Sequence, residues 1–303
     1  EEYSLRVAET WKLGKKDVDN GAGVRITYGP RTTLNSLDPA SVDVGLTEGA
    51  WTLSVTVDDS TLCDDAAADA TRTASAVVTA LSAQLVAHFT LDGNCDDTAL
   101  GNDGVFVGGL DIDPIFVDGY DGTIDGALSL DGLDDYVEVF QTKGLPLCLH
   151  KAFTVAMWVR GIPQADRRVY CEGSTTNNSP LLTIGTEVTG TRGTVDIYVR
   201  TDTGATLLNH INSAATAFDG TWHHIAWVDA GGQGALYIDG VRDSATFNYT
   251  KTALTLNTTA IGCVLRAVPS HWFKGRIDRV GVWETALSAE EIAYLAGGAS
   301  PGA

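Results

Sequence analysis

Thirteen acidic residues and no lysine or arginine lie in residues 92–139, which makes this the segment of the chain best suited to hold a cation. It opens with Asp92-Gly93-Asn94-Cys95-Asp96-Asp97 and continues through Asn102-Asp103-Gly104. Small oxygen-bearing side chains on a glycine-punctuated loop can wrap a hard ion such as Ca²⁺ while backbone carbonyls add further ligands. A second carboxylate, Asp278, sits near the C-terminus among Ile277, Val280 and Val282. Such a group needs a partner if its strand is buried, and a cation would supply one. Competing arrangements are an Asx-turn made by Asp92 and Asn94, and ion pairs from Asp278 to Arg276 or Arg279. A solvated acidic surface is the plainer explanation of the segment as a whole.

Other chemistry is weaker. Asp134 and Asp135 form a second acidic pair, but turn chemistry accounts for Leu130–Asp135 at a hairpin tip. His223 and His224 are adjacent on an expected strand, so they point to opposite faces and cannot grip one ion together. Asp239, in Tyr237-Ile238-Asp239-Gly240, reads as a hairpin turn. Glycoside hydrolysis needs two carboxylates aimed across a cleft. No run places acids at i, i+2 and i+4 amid aromatics, and there is no Gly-x-Ser-x-Gly, His-Glu-x-x-His or phosphate loop. No catalytic residue is assigned, and the protein is read as a non-enzyme. Ser270-His271-Trp272-Phe273 offers a recognition role, with Trp272 as a platform for a sugar ring and His271 beside it. Packing of Trp272 on a neighbouring loop is an equal alternative. Asn209, His210 and Asn212 are candidates for the same rim.

These residues are carried by a chain of 303 residues, enough for one large or two medium domains. The net charge of −19 disfavours nucleic acid as a partner, because phosphate binding needs the opposite sign. Abundant Gly, low charge and recurring Val, Thr and aromatic runs suit an all-β secreted protein. No apolar run is long enough to cross a bilayer. Cys63, Cys95, Cys148, Cys171 and Cys263 have no zinc spacing; two disulfides with one thiol left over and buried free thiols both remain open. A chain that starts at Glu1 with Met157 as its only methionine suggests a trimmed leader and export, and a removed initiator would look the same. Asn177, Asn248 and Asn257 match the glycosylation acceptor pattern, which also arises by chance.

Residues 1–84 read as short strands, Tyr3–Ala8, Val24–Tyr28, Val42–Leu46 and Trp51–Val57, with a further strand within 71–81. They suggest a small Ig-like or fibronectin-like β-sandwich serving assembly or attachment. From residue 85 the strands sharpen. In order come the Asp92–Asn102 loop, Ala127–Val139, Phe153–Val159, Trp222–Val228, Leu236–Gly240 and Gly275–Trp283, followed by a helix start at Ser288 with Glu291 three positions on. Over residues 85–297 this succession resembles the laminin-G-like, concanavalin A-like jelly-roll family. The resemblance implies two packed antiparallel sheets over 85–303. Alternation along the strand puts Val155, Met157 and Val159 on one face and Thr154, Ala156 and Trp158 on the other. The resemblance also implies that the first loop and the closing strand share one Ca²⁺, carried over here to Asp92, Asn94, Asp97, Asn102 and Asp278. The family is mostly one of recognition modules. The expected protein is therefore extracellular or displayed on a cell or particle surface, binds a glycan or protein ligand at the jelly-roll rim, and self-associates through its N-terminal region. A freely secreted lectin and, more remotely, a glycan-active enzyme are the alternatives.

Overall fold

The computed structural model describes residues 85–108, 114–140 and 143–300, and of residues 1–84 the strands alone. The chain divides into two compact units, Glu1–Ala83 and Gln84–Ala303. In the first, β1 (Tyr3–Ser4) pairs with β4 (Gly45–Leu46). A four-stranded antiparallel sheet runs β3 (Thr32–Ser36), β2 (Val24–Tyr28), β5 (Ala50–Val57), β6 (Arg72–Thr79). The β-branched run through 71–81 is thus a strand, and β3 is one the sequence reading passed over. Cys63 and the turns of this unit lie outside the described residues.

The second unit is an antiparallel sandwich. One sheet has nine strands. Its path runs β19 (Val241–Arg242), β18 (Gln233–Ile238), β17 (Trp222–Ala230), β12 (Ala152–Gly161), β22 (Lys274–Trp283), β10 (Ala127–Asp131), β9 (Ile115–Val117). Off this path, β7 (Leu85–Phe89) pairs with β22, and β20 (Phe247–Asn248) pairs with β18. The facing seven-stranded sheet runs β16 (Thr206–Thr216), β15 (Thr194–Arg200), β14 (Leu181–Thr186), β13 (Arg168–Gly173), β21 (Thr258–Ile261), β11 (Tyr136–Val139), β8 (Gly104–Val107).

Alternation along each strand builds the core between the sheets. Val155, Met157 and Val159 of β12 point inward and join one cluster with Val195, Ile197 and Val199 of β15 and Ile277, Val280 and Val282 of β22. Thr154 is buried on the outer face, where its hydroxyl bonds the Thr285 carbonyl and the Leu287 amide. That contact seats helix α1 (Ala289–Ala296), which starts as expected from a capping box of Ser288 and Glu291 and buries Ile292 and Leu295. Cys95, Cys148, Cys171 and Cys263 are all buried free thiols, so no disulfide forms among the described residues. Burial pushes the Cys95 thiol up to about 11 and Cys171 to about 12, which keeps both protonated and inert.

One irregularity positions the site. Ala156 pairs with Gly281 and Trp158 with Asp278, so two residues of β22, Arg279 and Val280, oppose Met157 alone. This is a β-bulge, with Arg279 in the left-handed region at φ 47°. Past it, Asp278 and Arg276 project from the outer face of the nine-stranded sheet, while Ile277 enters the core.

Candidate functional site

Asp278 is 1% exposed and half satisfied. Its Oδ2 accepts a hydrogen bond from the Tyr120 amide at 2.9 Å, and its Oδ1 is buried with no hydrogen-bond partner. Burial pushes the carboxyl up to about 7, against the pull of the Tyr120 amide and the Arg279 guanidinium; the Asp92 and Asp121 carboxylates raise it further. Neither flanking arginine forms an ion pair with it. Arg279 reaches instead to Asp121 Oδ2 at 2.7 Å and to the Tyr120 hydroxyl at 2.6 Å. The loop over Asp278 approaches closely because residue 119 is glycine: a Cβ there would fall 2.7 Å from Oδ2. Tyr120 then stacks on Trp158 at 4.0 Å between ring centroids, which holds the loop down.

The first loop touches this assembly from the other side. The Gly93 amide donates to the Asp125 carbonyl at 2.9 Å, tying residues 92–94 to the Tyr120 loop. Asp92 is exposed there, with its charge felt at Asp278. Asn94 makes the Asx-turn, its Oδ1 accepting from the Asp96 amide at 2.9 Å. Asp97 accepts four backbone N–H groups: His88 and Ala99 on Oδ1, Leu100 and Asn102 on Oδ2. The buried Asn102 side chain donates to the Val86 and Lys143 carbonyls and accepts from the Lys143 amide. Of the five residues expected to share an ion, Asp92 and Asp278 lie in one electrostatic neighbourhood, whereas the side-chain oxygens of Asn94, Asp97 and Asn102 already accept backbone amides. Tyr120 and Asp121 were missed. Their only local signal was Gly119-Tyr120-Asp121-Gly122, one glycine turn among several in an acid-rich segment.

Asp131, Asp134 and Asp135 bring carboxylate oxygens within 4.8 Å of one another. Asp131 Oδ1 accepts the Leu133 amide at 2.7 Å and Asp135 Oδ2 accepts the Asp131 amide at 3.0 Å, which is the turn chemistry expected of them. His224 is buried against the edge of Trp158 and held down at about 4 by desolvation, whereas His223 lies between Asp239 and Asp219. The two histidines thus occupy separate environments.

On the outer face of the seven-stranded sheet, Trp272 is partly buried against the Tyr136, Ala260, Cys263 and Leu265 cluster, the packing alternative. His271 bonds Asp166 at 3.1 Å, and Asp166 pairs with the buried Arg168. Arg168 lies 3.7 Å from Asp196, which bonds His210 at 2.7 Å, and His210 stacks on Tyr198. The His271 hydrogen bond and the Arg168 charge hold the Asp166 carboxyl down at about 2. The structure therefore joins His271 and His210 through one polar chain. Asn212, the register partner of Asp196, keeps a buried Oδ1 with no hydrogen-bond partner beside it.

A sequence model of the concanavalin A-like lectin/glucanases superfamily (Laminin_G_3) matches residues 131–293, and the chain belongs to this superfamily. No curated protein matches it. Among solved structures it is similar to domain 4 of AbnA, a GH43 extracellular arabinanase from Geobacillus stearothermophilus, in complex with arabinotriose. Identity is 20%, the TM-score is 0.53, and the match covers 70% of this chain and 98% of that one. It is also similar to the binding domain of botulinum neurotoxin DC in complex with rat synaptotagmin II, at 13% identity and TM-score 0.53, over 73% of this chain and 52% of that chain. A third likeness is to a botulinum neurotoxin type C structure whose cell entry depends on two ganglioside molecules, at 13% identity and TM-score 0.53, over 72% and 52%. The chain spans about half the length of these neurotoxin domains. At such identities the likeness shows the fold, an all-β jelly roll of lectin type.

Proposed function

We propose that the Gln84–Ala303 unit is a non-catalytic, calcium-stabilised recognition domain for glycans, displayed outside the cell by a larger surface or assembly protein. The observation that carries this reading is Asp278 Oδ1, a buried carboxylate oxygen without a donor. A carboxylate out of water and short of partners is costly unless a cation joins it. Asp278 and Asp92 would supply the hard oxygen donors Ca²⁺ prefers, beside Asp121, whose own oxygens accept from the Thr123 amide and Arg279. Glycan recognition is supported by superfamily membership and by the arabinotriose and ganglioside described for the similar structures. The neurotoxin complex with synaptotagmin supports protein as the second ligand class. Trp272 and His271 are the rim residues proposed to meet the ligand, with the partly exposed His210 as a further candidate.

A non-catalytic role is supported by the carboxylates of that sheet. Asp166, Asp196 and Glu187 are each tied to arginine or histidine rather than facing one another across a cleft. Among the described residues no helix is long and apolar enough to cross a membrane. Self-association through the N-terminal unit is part of the proposal, and light scattering after size exclusion tests it: a stable monomer counts against it.

Thermal unfolding in EDTA and then in Ca²⁺ tests the metal. An ion that binds only the folded state stabilises it by RT ln(1 + [L]/Kd), about 4 kcal/mol at a thousandfold excess. No upward shift refutes the calcium reading. A glycan array run with and without chelator tests the ligand, and the absence of any hit refutes the lectin reading.

A further inference from the structure

The outer face of the nine-stranded sheet is only partly covered. Leu295 and Ala299 lie over the row that holds Ala156, Trp158 and His224, and Tyr120 covers Trp158 and Asp278. The next row is uncovered by the described residues. Trp222, Arg160, Arg276 and Ser129 are successive cross-strand partners on β17, β12, β22 and β10, so they project from one face. Lys274, two residues before Arg276, shares that face. An open cleft of about 320 Å³ runs here, lined by Ser129, Arg160, Gly220, Lys274 and Arg276 among others, and by no carboxylate.

Two arginines directly opposite in a ladder repel unless an anion lies between them. Among the described residues no ion pair supplies that anion. The lysines and arginines that form ion pairs among the described residues are Arg168, Arg192, Lys251 and Arg279, none of them in the cleft. Arg160 Nε donates to the Gly220 carbonyl at 2.8 Å, which orients its guanidinium without neutralising it. Of the bordering acids, Asp131 stands opposite Lys274 in the ladder and accepts the Leu133 and Asp134 amides, and Asp219 accepts from Thr221 and bonds His223, so neither lies between the two arginines.

We propose that this cleft binds an acidic saccharide, its carboxylate or sulfate bridging Arg160 and Arg276, with Lys274 as a further cation and the half-exposed Trp222 ring beside it as a stacking face. Guanidinium forks match planar or tetrahedral oxyanions by paired N–H donation. The cleft volume is at the small end of ligand pockets, suited to a short ligand. A long polyanion is disfavoured, because a chain of net charge −19 repels nucleic acid and anionic membranes at range, whereas one or two local charges meet the cleft alone. The proposal rests on the glycan-recognition reading and adds to it a second surface, on the other sheet, with a defined ligand class.

The test is calorimetric titration of the full chain with oligosaccharides of matched length: uronic acid-containing, sulfated and uncharged, with an Asp/Glu-rich peptide as a fourth probe. At least one charged saccharide is expected to bind about tenfold or more tightly than the uncharged one, with affinity falling at high salt. Arg276→Gln should remove that preference without lowering the unfolding temperature, since it relieves a like-charge pair; Lys274→Gln, at an exposed position, repeats the test if Arg276→Gln misfolds. Equal binding of charged and uncharged sugars, unchanged in both variants, overturns the cleft while leaving glycan recognition standing. Binding of no saccharide overturns both, and binding of the peptide alone assigns the cleft to a different partner and overturns the proposal.

Discussion

Asp97 and Asp278 are both carboxylates withdrawn from water beside one strand pair, β7 and β22, and their surroundings are opposite. Asp97 bridges to Phe89 of β7 and receives four backbone N–H donors. Asp278 receives one, and keeps an oxygen with none. Four donors make a carboxylate part of the chain's own wiring, since they satisfy it and it in turn satisfies amides that a loop would otherwise leave unpaired. A deficit of donors leaves a charge that the fold alone does not compensate. The residue types are the same, and only the count of donors separates an acid that builds the loop from one that waits for an ion.

The contrast is broken most severely at Asp97. Asp97→Ala orphans buried amides and should cost about 3–5 kcal/mol in chemical denaturation, with and without Ca²⁺ alike. A cost below about 1 kcal/mol would show that the donors are not holding the loop. Asp278→Asn should act in the other direction. In EDTA at pH 8 it removes an uncompensated buried charge and should stabilise the protein by about 1–3 kcal/mol, while abolishing the response to Ca²⁺. Destabilisation in EDTA together with a retained calcium shift would remove Asp278 from the site.

The pH dependence sharpens the comparison. With its carboxyl near 7, folded Asp278 holds a proton that the unfolded chain has released, so its contribution to stability declines as pH rises from about 4 to 7. His88 and His224 are pushed down to about 4, mainly by desolvation, so the unfolded chain takes up protons first and stability declines as pH falls from about 6.5 to 4. These slopes oppose each other in metal-free protein, which should show a shallow profile of unfolding temperature over that range. Saturating Ca²⁺ ionises Asp278 in the folded state and should expose the acid-side loss. Parallel profiles in EDTA and Ca²⁺ would contradict this. The smallest effect is expected at Asp92, whose exposed side chain bonds nothing in the loop. Asp92→Asn should leave stability in EDTA within about 0.5 kcal/mol and weaken calcium affinity alone.

Local pattern made part of this legible. Alternation separated the two faces of β12, Val155, Met157 and Val159 from Thr154, Ala156 and Trp158, and Ser288 with Glu291 named the helix start. Asp278 stood out as one acid in an apolar strand. The different fates of Asp92 and Asp97 were not readable, because both are acids on one glycine-bearing loop and only the tertiary alignment of amides distinguishes them. Tyr120 and Asp121 reach the site across a separation set by the sheet, and the bulge at Arg279 that aims Asp278 outward has no signature in residue type. The Arg160–Arg276 pair likewise exists only once β12 and β22 are in register. Residue type alone left Trp272 open between a platform and a packed ring, and the neighbouring cluster partly covers it.

Calcium titration calorimetry at pH 6 in two buffers of different ionisation enthalpy addresses Asp278 most directly. A carboxyl held near 7 is largely protonated there and must release its proton to an incoming ion. The account predicts binding with release of close to one proton per ion, and neither binding nor release in Asp278→Asn. Calcium binding without proton release, or binding that survives the substitution, would contradict it.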